Sequence, residues 1–150
     1  MRRILLDTNM LVACFDNEST ISETERVAAK SLLKNLAQDP DVVFVITPLI
    51  RYEVLRFAKW TDPQHFDQLK QALDGLTELD ITEPVSTLAT HLYRLDHHEC
   101  ETANITKHID KRNFDVFHFA SAKVNALELL TRNERDFSQL EQLYIRYQAT

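Results

Sequence analysis

Asp7, Glu53 and Asp115 are the side chains best placed to do chemistry. Asp7 directly follows the apolar run Arg3–Leu6, and Glu53 lies in the second turn of a predicted helix that follows the run Val42–Ile46. Asp115 falls in the first turn of the predicted helix ahead of the run Leu127–Thr131, with Asn133 just past that run and Asp136 three residues further on. Open parallel sheets gather their sites outside the carboxyl ends of the strands, so acids at such places are candidates. Hard oxygens with no cysteine cluster and no ordered histidine pair nearby suit Mg2+ or Mn2+ better than zinc. One or two such ions activate water, orient a phosphodiester and stabilise the leaving oxygen. Clustered carboxylates repel one another until a cation relieves them. Each residue also has a purely structural use. Asp7 can cap the next helix, Glu53 can be a solvated helix residue, Asp115 favours the helix macrodipole, and Asn133 suits a turn. The joint placement carries more than any one of them.

The elements that must position these residues are legible from caps and periodicity. Ser22 and Glu25 have capping-box spacing, and Val27, Ala28, Leu32, Leu33 and Leu36 recur with helical period, which predicts a helix from Ser22 to about Gln38. Val42–Ile46 is short and β-branched, the pattern of a buried strand. Thr47-Pro48 is an N-cap followed by proline at the first helical position, opening a helix to about Trp60. Further helices are expected over Gln64–Asp74, closed by Gly75 at the C′ position, over Glu83 to about His98, and over Phe114–Ala126 behind an Asn113 cap. Glu78–Ile81 and Leu127–Thr131 read as strands, and Ser138–Thr150 as a short turn and a final strand around Leu143–Ile145. Strands alternating with helices predict a single α/β domain over residues 1–150, three layers deep with a mostly parallel sheet.

Composition narrows the chemistry. Gly75 is the one glycine in 150 residues, where average usage supplies about ten. Neither the dinucleotide-binding G-x-G-x-x-G turn nor the triphosphate-binding P-loop can be built. Seventeen basic and 23 acidic residues give a net charge of −6. That balance disfavours a nucleic-acid partner unless bound cations reverse the local charge. No apolar run approaches the ~20 residues of a membrane helix. Ile4–Leu6 ahead of Asp7 falls short of the apolar stretch of a signal peptide. The expected location is cytoplasmic, with Cys14 and Cys100 reduced and partly buried.

In order and spacing these residues resemble the PIN-domain ribonucleases, most closely the VapC-type toxins of type II toxin–antitoxin systems. The resemblance rests on Ile4-Leu5-Leu6-Asp7-Thr8-Asn9, on Arg51-Tyr52-Glu53-Val54 after a strand and a Thr-Pro, and on the block from Asp115 to Ala122 followed by Leu127 to Phe137. It spans the whole chain, and the last block is its most specific part. It implies an α/β/α fold and Mg2+- or Mn2+-dependent endoribonuclease activity. It also implies a homodimer and a cognate antitoxin protein that obstructs the acidic cleft. By position, Asp7, Glu53 and Asp115 match the three core acids, catalytic and metal-holding. Asn133 matches a fourth metal position that is often aspartate, a departure that removes one negative charge. Thr8 and Thr131 are placed to orient ligands through their hydroxyls or to act as caps, and Asp136 to support the Asn133 loop.

Other residues carry weaker signals. His65, His91, His97, His98, His108 and His118 suggest zinc by count alone; packed or surface roles are the more economical reading, although His118 lies one turn beyond Asp115. Arg51, Arg56 and Lys59 flank Glu53, Lys107, Lys111 and Arg112 precede Asp115, and Arg132 and Arg135 flank Asn133; these are candidate phosphate contacts or simply solvated charge. Two alternatives to a nuclease remain. One is a catalytically inactive interaction module of the same fold. The other is aspartyl-phosphate chemistry of the haloacid-dehalogenase kind, for which Asp7-Thr8-Asn9 lacks the second aspartate of D-x-D-x-T.

Overall fold

Four short strands form one sheet in which every neighbouring pair is parallel. In the computed structural model, which describes residues 1–103 and 109–150, these strands are β1 (Arg2–Leu6), β2 (Val42–Ile46), β3 (Thr77–Glu78) and β4 (Glu128–Leu130), in the order β3-β2-β1-β4. Register pairs Ile4 with Phe44 on one side of β1 and with Glu128 on the other, and Leu6 with Leu130. β1 is therefore central, and Leu5, Leu6, Val45 and Ile46 are fully buried. Each such side chain contributes roughly 1.5–3 kcal/mol relative to exposure.

The chain divides into two compact units, Met1–Asp80 with Leu127–Arg132, and Ile81–Ala126 with Asn133–Thr150. The first holds the whole sheet together with α1 (Thr8–Phe15), α2 (Glu23–Ala37), α3 (Pro48–Leu55) and α4 (Pro63–Asp74). The second holds α5 (Glu83–Thr102), α6 (Ile109–Val124) and α7 (Glu134–Gln148). Within it Phe119 meets Tyr144 edge-on at 5.8 Å, and Lys123 and Arg146 pair with Glu141 and Glu99.

Ser22 and Thr47 close their helices as the sequence predicts, and Asp62, which no sequence expectation named as a cap, closes α4. Ser22 Oγ accepts from Glu25 N, Thr47 Oγ1 from Ile50 N, and Asp62 Oδ1 from His65 N. Several expectations are corrected. Ser138–Thr150 holds no strand: α7 runs through it, because Phe137, Leu140 and Leu143 recur at helical spacing and all three are buried. α2 buries Arg26, Ala29 and Leu33, while Val27 and Leu32 stay exposed. α3 stops at Leu55, five residues early, where Phe57 N and Ala58 N bond three residues back and tighten the chain into a turn. α6 is under way at Ile109, ahead of the expected Asn113 cap; the side chains of Asn113, Lys111 and Arg112, together with Lys107 and His108, lie outside the described residues. α5 continues to Thr102, and β3 spans two residues. Gly75 is the C-cap of α4 with an ordinary φ of −77°, not a left-handed C′ residue.

Among the described residues no helix is long and apolar enough to cross a membrane. Cys14 is buried, Cys100 half-buried, and both are free thiols.

Candidate active site

β2 lies on one side of β1 and β4 on the other, so the chain's direction of travel across the sheet reverses at β1. The carboxyl end of such a strand is the topological switch point where open α/β sheets place their ligands. Asp7 occupies it. Its backbone N–H donates to Leu130 O at 3.0 Å, extending the β1–β4 pairing by one residue, and its side chain is buried.

Donors on Thr8 and Thr131 orient the carboxylates of Asp7 and Glu53. Thr8 N donates to Asp7 Oδ1 at 2.8 Å, which makes Asp7 the N-cap of α1. Thr131 Oγ1 donates to Asp7 Oδ2 at 2.8 Å across 124 residues of sequence. Thr8 Oγ1 donates to Glu53 Oε1 at 3.0 Å. Glu53 faces inward because it shares the buried side of α3 with Ile50 and Val54. Arg56 Nη2 stands 4.0 Å from its other oxygen. Burying ionised groups is costly unless hydrogen bonds or a counter-charge compensate.

Asn9, which sequence alone does not single out, braces this arrangement. Its Oδ1 accepts from Arg132 N at 3.0 Å and its Nδ2 donates to Thr131 Oγ1 at 3.3 Å. The available signal was its place directly after Asp7-Thr8, at the mouth of a buried strand.

Asp115, Asn133 and Asp136 belong to the second unit. Asp115 is half-buried on α6, one helical turn before the fully buried His118. Asn133 is the N-cap of α7: its Oδ1 accepts from Asp136 N at 3.4 Å and its Nδ2 donates to Asp136 Oδ2 at 2.7 Å. The structure thus brings Asp7, Thr8, Glu53 and Thr131 together in one unit, and Asn133 and Asp136 together in the other.

The flanking cations are differently employed. Arg51 pairs with Glu78 at 2.7 Å and Asp74 at 2.8 Å, which hold its guanidinium above the usual range through hydrogen bonds and charge. Arg132 pairs with Glu25 at 3.1 Å. Arg56 lies over the rings of Tyr52 and Phe57.

Buried carboxylates held by hydroxyls at the switch point of a parallel sheet define a carboxylate-centred α/β protein. The PIN domain model matches residues 4–143. The chain belongs to the PIN domain family, a family of nucleases, and the three-layer α/β/α class expected from the sequence is the class of that family. Among solved structures it is similar to VapBC2 from Rickettsia felis bound to a DNA fragment from its promoter, with 18% identity over 91% of this chain and 92% of that one and a TM-score of 0.62. It is also similar to a toxin–antitoxin complex from Klebsiella pneumoniae (22% identity, 89% of each chain, TM-score 0.58). A third similar structure is VapBC-1 from nontypeable Haemophilus influenzae (15%, 93% of each, 0.64). Comparison with curated proteins finds no match.

Proposed function

We propose that this chain is a Mg2+- or Mn2+-dependent endoribonuclease and the toxin of a toxin–antitoxin pair. The carrying observation is the pairing of buried Asp7 and Glu53 through the single residue Thr8 at the end of the central strand. Two carboxylates and two hydroxyls, with no sulfur in the set, form a hard-oxygen donor group that fits Mg2+ or Mn2+. Asp7, Glu53 and Asp115 would hold the cation, with Asn133 at a fourth position that contributes a neutral oxygen. A bound cation would supply an activated water and stabilisation of the leaving oxygen. Thr8 and Thr131 set the rotamers of Asp7 and Glu53 before substrate arrives, and Asp136 fixes the amide of Asn133. Such preorganisation is what places charge where a transition state develops it.

The toxin assignment draws on the VapBC complexes among the similar structures, whose partners are antitoxins. It carries with it an RNA substrate, a cognate antitoxin protein, a homodimer and a cytoplasmic location. Family membership sets the aspartyl-phosphate alternative aside. Purified protein with Mn2+ should cut RNA, and Asp7→Asn or Asp115→Asn should abolish cutting with the circular dichroism spectrum unchanged. Undiminished cutting by either variant would sink this mechanism.

A second reading, a PIN-fold interaction module without catalysis, draws on Asn133, whose side chain is neutral and already engaged by Asp136. Calorimetry separates the two: absence of Mg2+ or Mn2+ binding at millimolar concentration favours the module.

A further inference from the structure

A second group of ligating side chains lies in the first unit, away from Asp7 and Glu53. α1 ends at Asp16, which is buried, and the loop that follows carries Glu18. Asp62 caps α4, and His65 sits in its first turn, about nine-tenths buried. One ligand atom each from Glu18, Asp62 and His65 lies within 4.8 Å of the others. The imidazole is held at both ends: Nε2 is 2.9 Å from Asp16 Oδ1 and Nδ1 is 2.9 Å from Glu18 Oε2. Asp16, Glu18 and His65 also line a cavity of about 360 Å3, with Val12, Ile21 and Phe57 on its apolar side.

The loop that carries Glu18 is built to stay in place. Arg26, itself buried, donates to Asp16 O and, at 2.8 Å, to both the carbonyl and the hydroxyl of Ser19. Glu18 N donates to Asp16 Oδ1 at 3.0 Å. Asp16 therefore fixes both the ring of His65 and the backbone of Glu18.

A buried carboxylate on the far nitrogen of a histidine, with a second carboxylate at the near nitrogen, is the arrangement of a metal-ligating imidazole and its orienting partner. We propose that His65 Nδ1, Glu18 and Asp62 form a second cation site. It takes a transition-metal dication of the zinc type, and Asp16 sets the orientation of the ring. The imidazole nitrogen selects this class over Mg2+. Metal–ligand bonds of ~2.1 Å put tetrahedral ligand atoms ~3.4 Å apart. The 2.9 Å contact between His65 and Glu18 thus needs to open by only about 0.5 Å, and the exposed Glu18 side chain makes that movement at little cost. On binding, Nδ1 gives an electron pair to the cation, and a proton carried on that nitrogen passes to solvent. The site is independent of the nuclease reading, because none of its ligands belongs to the Asp7–Glu53 group.

The test is calorimetric titration of Zn2+ into the Asp7→Asn/Glu53→Gln protein, which removes two carboxylates of the proposed nuclease centre. One Zn2+ per chain should bind. Adding Glu18→Gln or Asp62→Asn should weaken that binding about tenfold or more, with the metal-free melting temperature little changed. Glu18 is exposed and Asn still caps a helix, so neither substitution threatens the fold. Failure of Zn2+ to bind, equal binding by Glu18→Gln, or displacement of Zn2+ by millimolar Mg2+ would each overturn the proposal.

Discussion

Thr8 joins the two buried carboxylates of the sheet terminus: its backbone N–H holds Asp7 at 2.8 Å and its hydroxyl holds Glu53 at 3.0 Å. The backbone bond survives any substitution except proline, whereas the hydroxyl bond is a side-chain property. Thr8→Val keeps the shape and removes the donor. It should lower RNA cutting about tenfold or more, as loss of an orienting partner does, and raise the Mn2+ concentration needed for half-maximal rate. Thr8→Ser should restore both. Kinetics across a Mn2+ titration checks this, and an unchanged Mn2+ dependence would remove Thr8 from the positioning set.

Arg26 is charged, buried, and bonded to two loop carbonyls and a hydroxyl. Arg26→Met should fill similar space while stranding those acceptors. The expected destabilisation is about 1–3 kcal/mol, read as a lower urea midpoint at unchanged slope.

Cys14 lies on the buried face of α1, and burial pushes its thiol up to about 11, with Lys30 and Arg132 pulling weakly the other way. An aromatic disulfide reagent at pH 8 should label Cys100 in the folded protein and reach Cys14 only on unfolding. The linkage has a definite sign. The unfolded thiol ionises from near pH 9.0 and the folded one only near 11, so stability should fall as pH rises through that window. Cys14→Ala should flatten this part of the pH–stability curve.

The backbone places glycine and alanine against expectation. Gly75 has φ of −77°, and a Cβ there would meet Ala72 O at 3.6 Å, an ordinary contact. Ala126, between α6 and β4, has φ of +53°, the left-handed region that penalises a Cβ by roughly 1–2 kcal/mol. Gly75→Ala should stabilise by about 0.4–1 kcal/mol. Ala126→Gly should also stabilise, by about 1 kcal/mol, because relief of strain exceeds the entropy it adds to the unfolded chain. Thermal melts of the single and double variants check both effects and their additivity.

Elements whose signals are local were legible in the sequence. Ser22 and Thr47 are followed by helices they cap, and Val42–Ile46 is β2 to the residue. Where two readings of one stretch compete, local pattern misleads. Leu143-Tyr144-Ile145 looks like a strand in isolation, but only Leu143 of the three is buried, and its partners are Phe137 and Leu140. The candidate site shows the same division. Asp7 and Glu53 are legible because each follows an apolar run. The link between them passes through Thr8 and depends on α3 arriving beside α1, while the bracing of Asp7 by Thr131 and Asn9 depends on β4 arriving beside β1. Likewise His65 had no recognisable ligand spacing, because Asp16 and Glu18 reach it from 49 and 47 positions earlier in the chain.

The bond from Thr131 to Asp7 closes a loop of 124 residues, and β4 reaches the first unit only after the whole of α5 and α6. A nascent chain emerging from the ribosome therefore carries β1 with one flank uncovered, and its first carboxylate without its hydroxyl partner, until β4 follows. Completion of that carboxylate's surroundings is timed by translation: it waits until Thr131, 124 residues after Asp7, has been made and has left the ribosome. Any activity that depends on Asp7 being held by Thr131 begins only then.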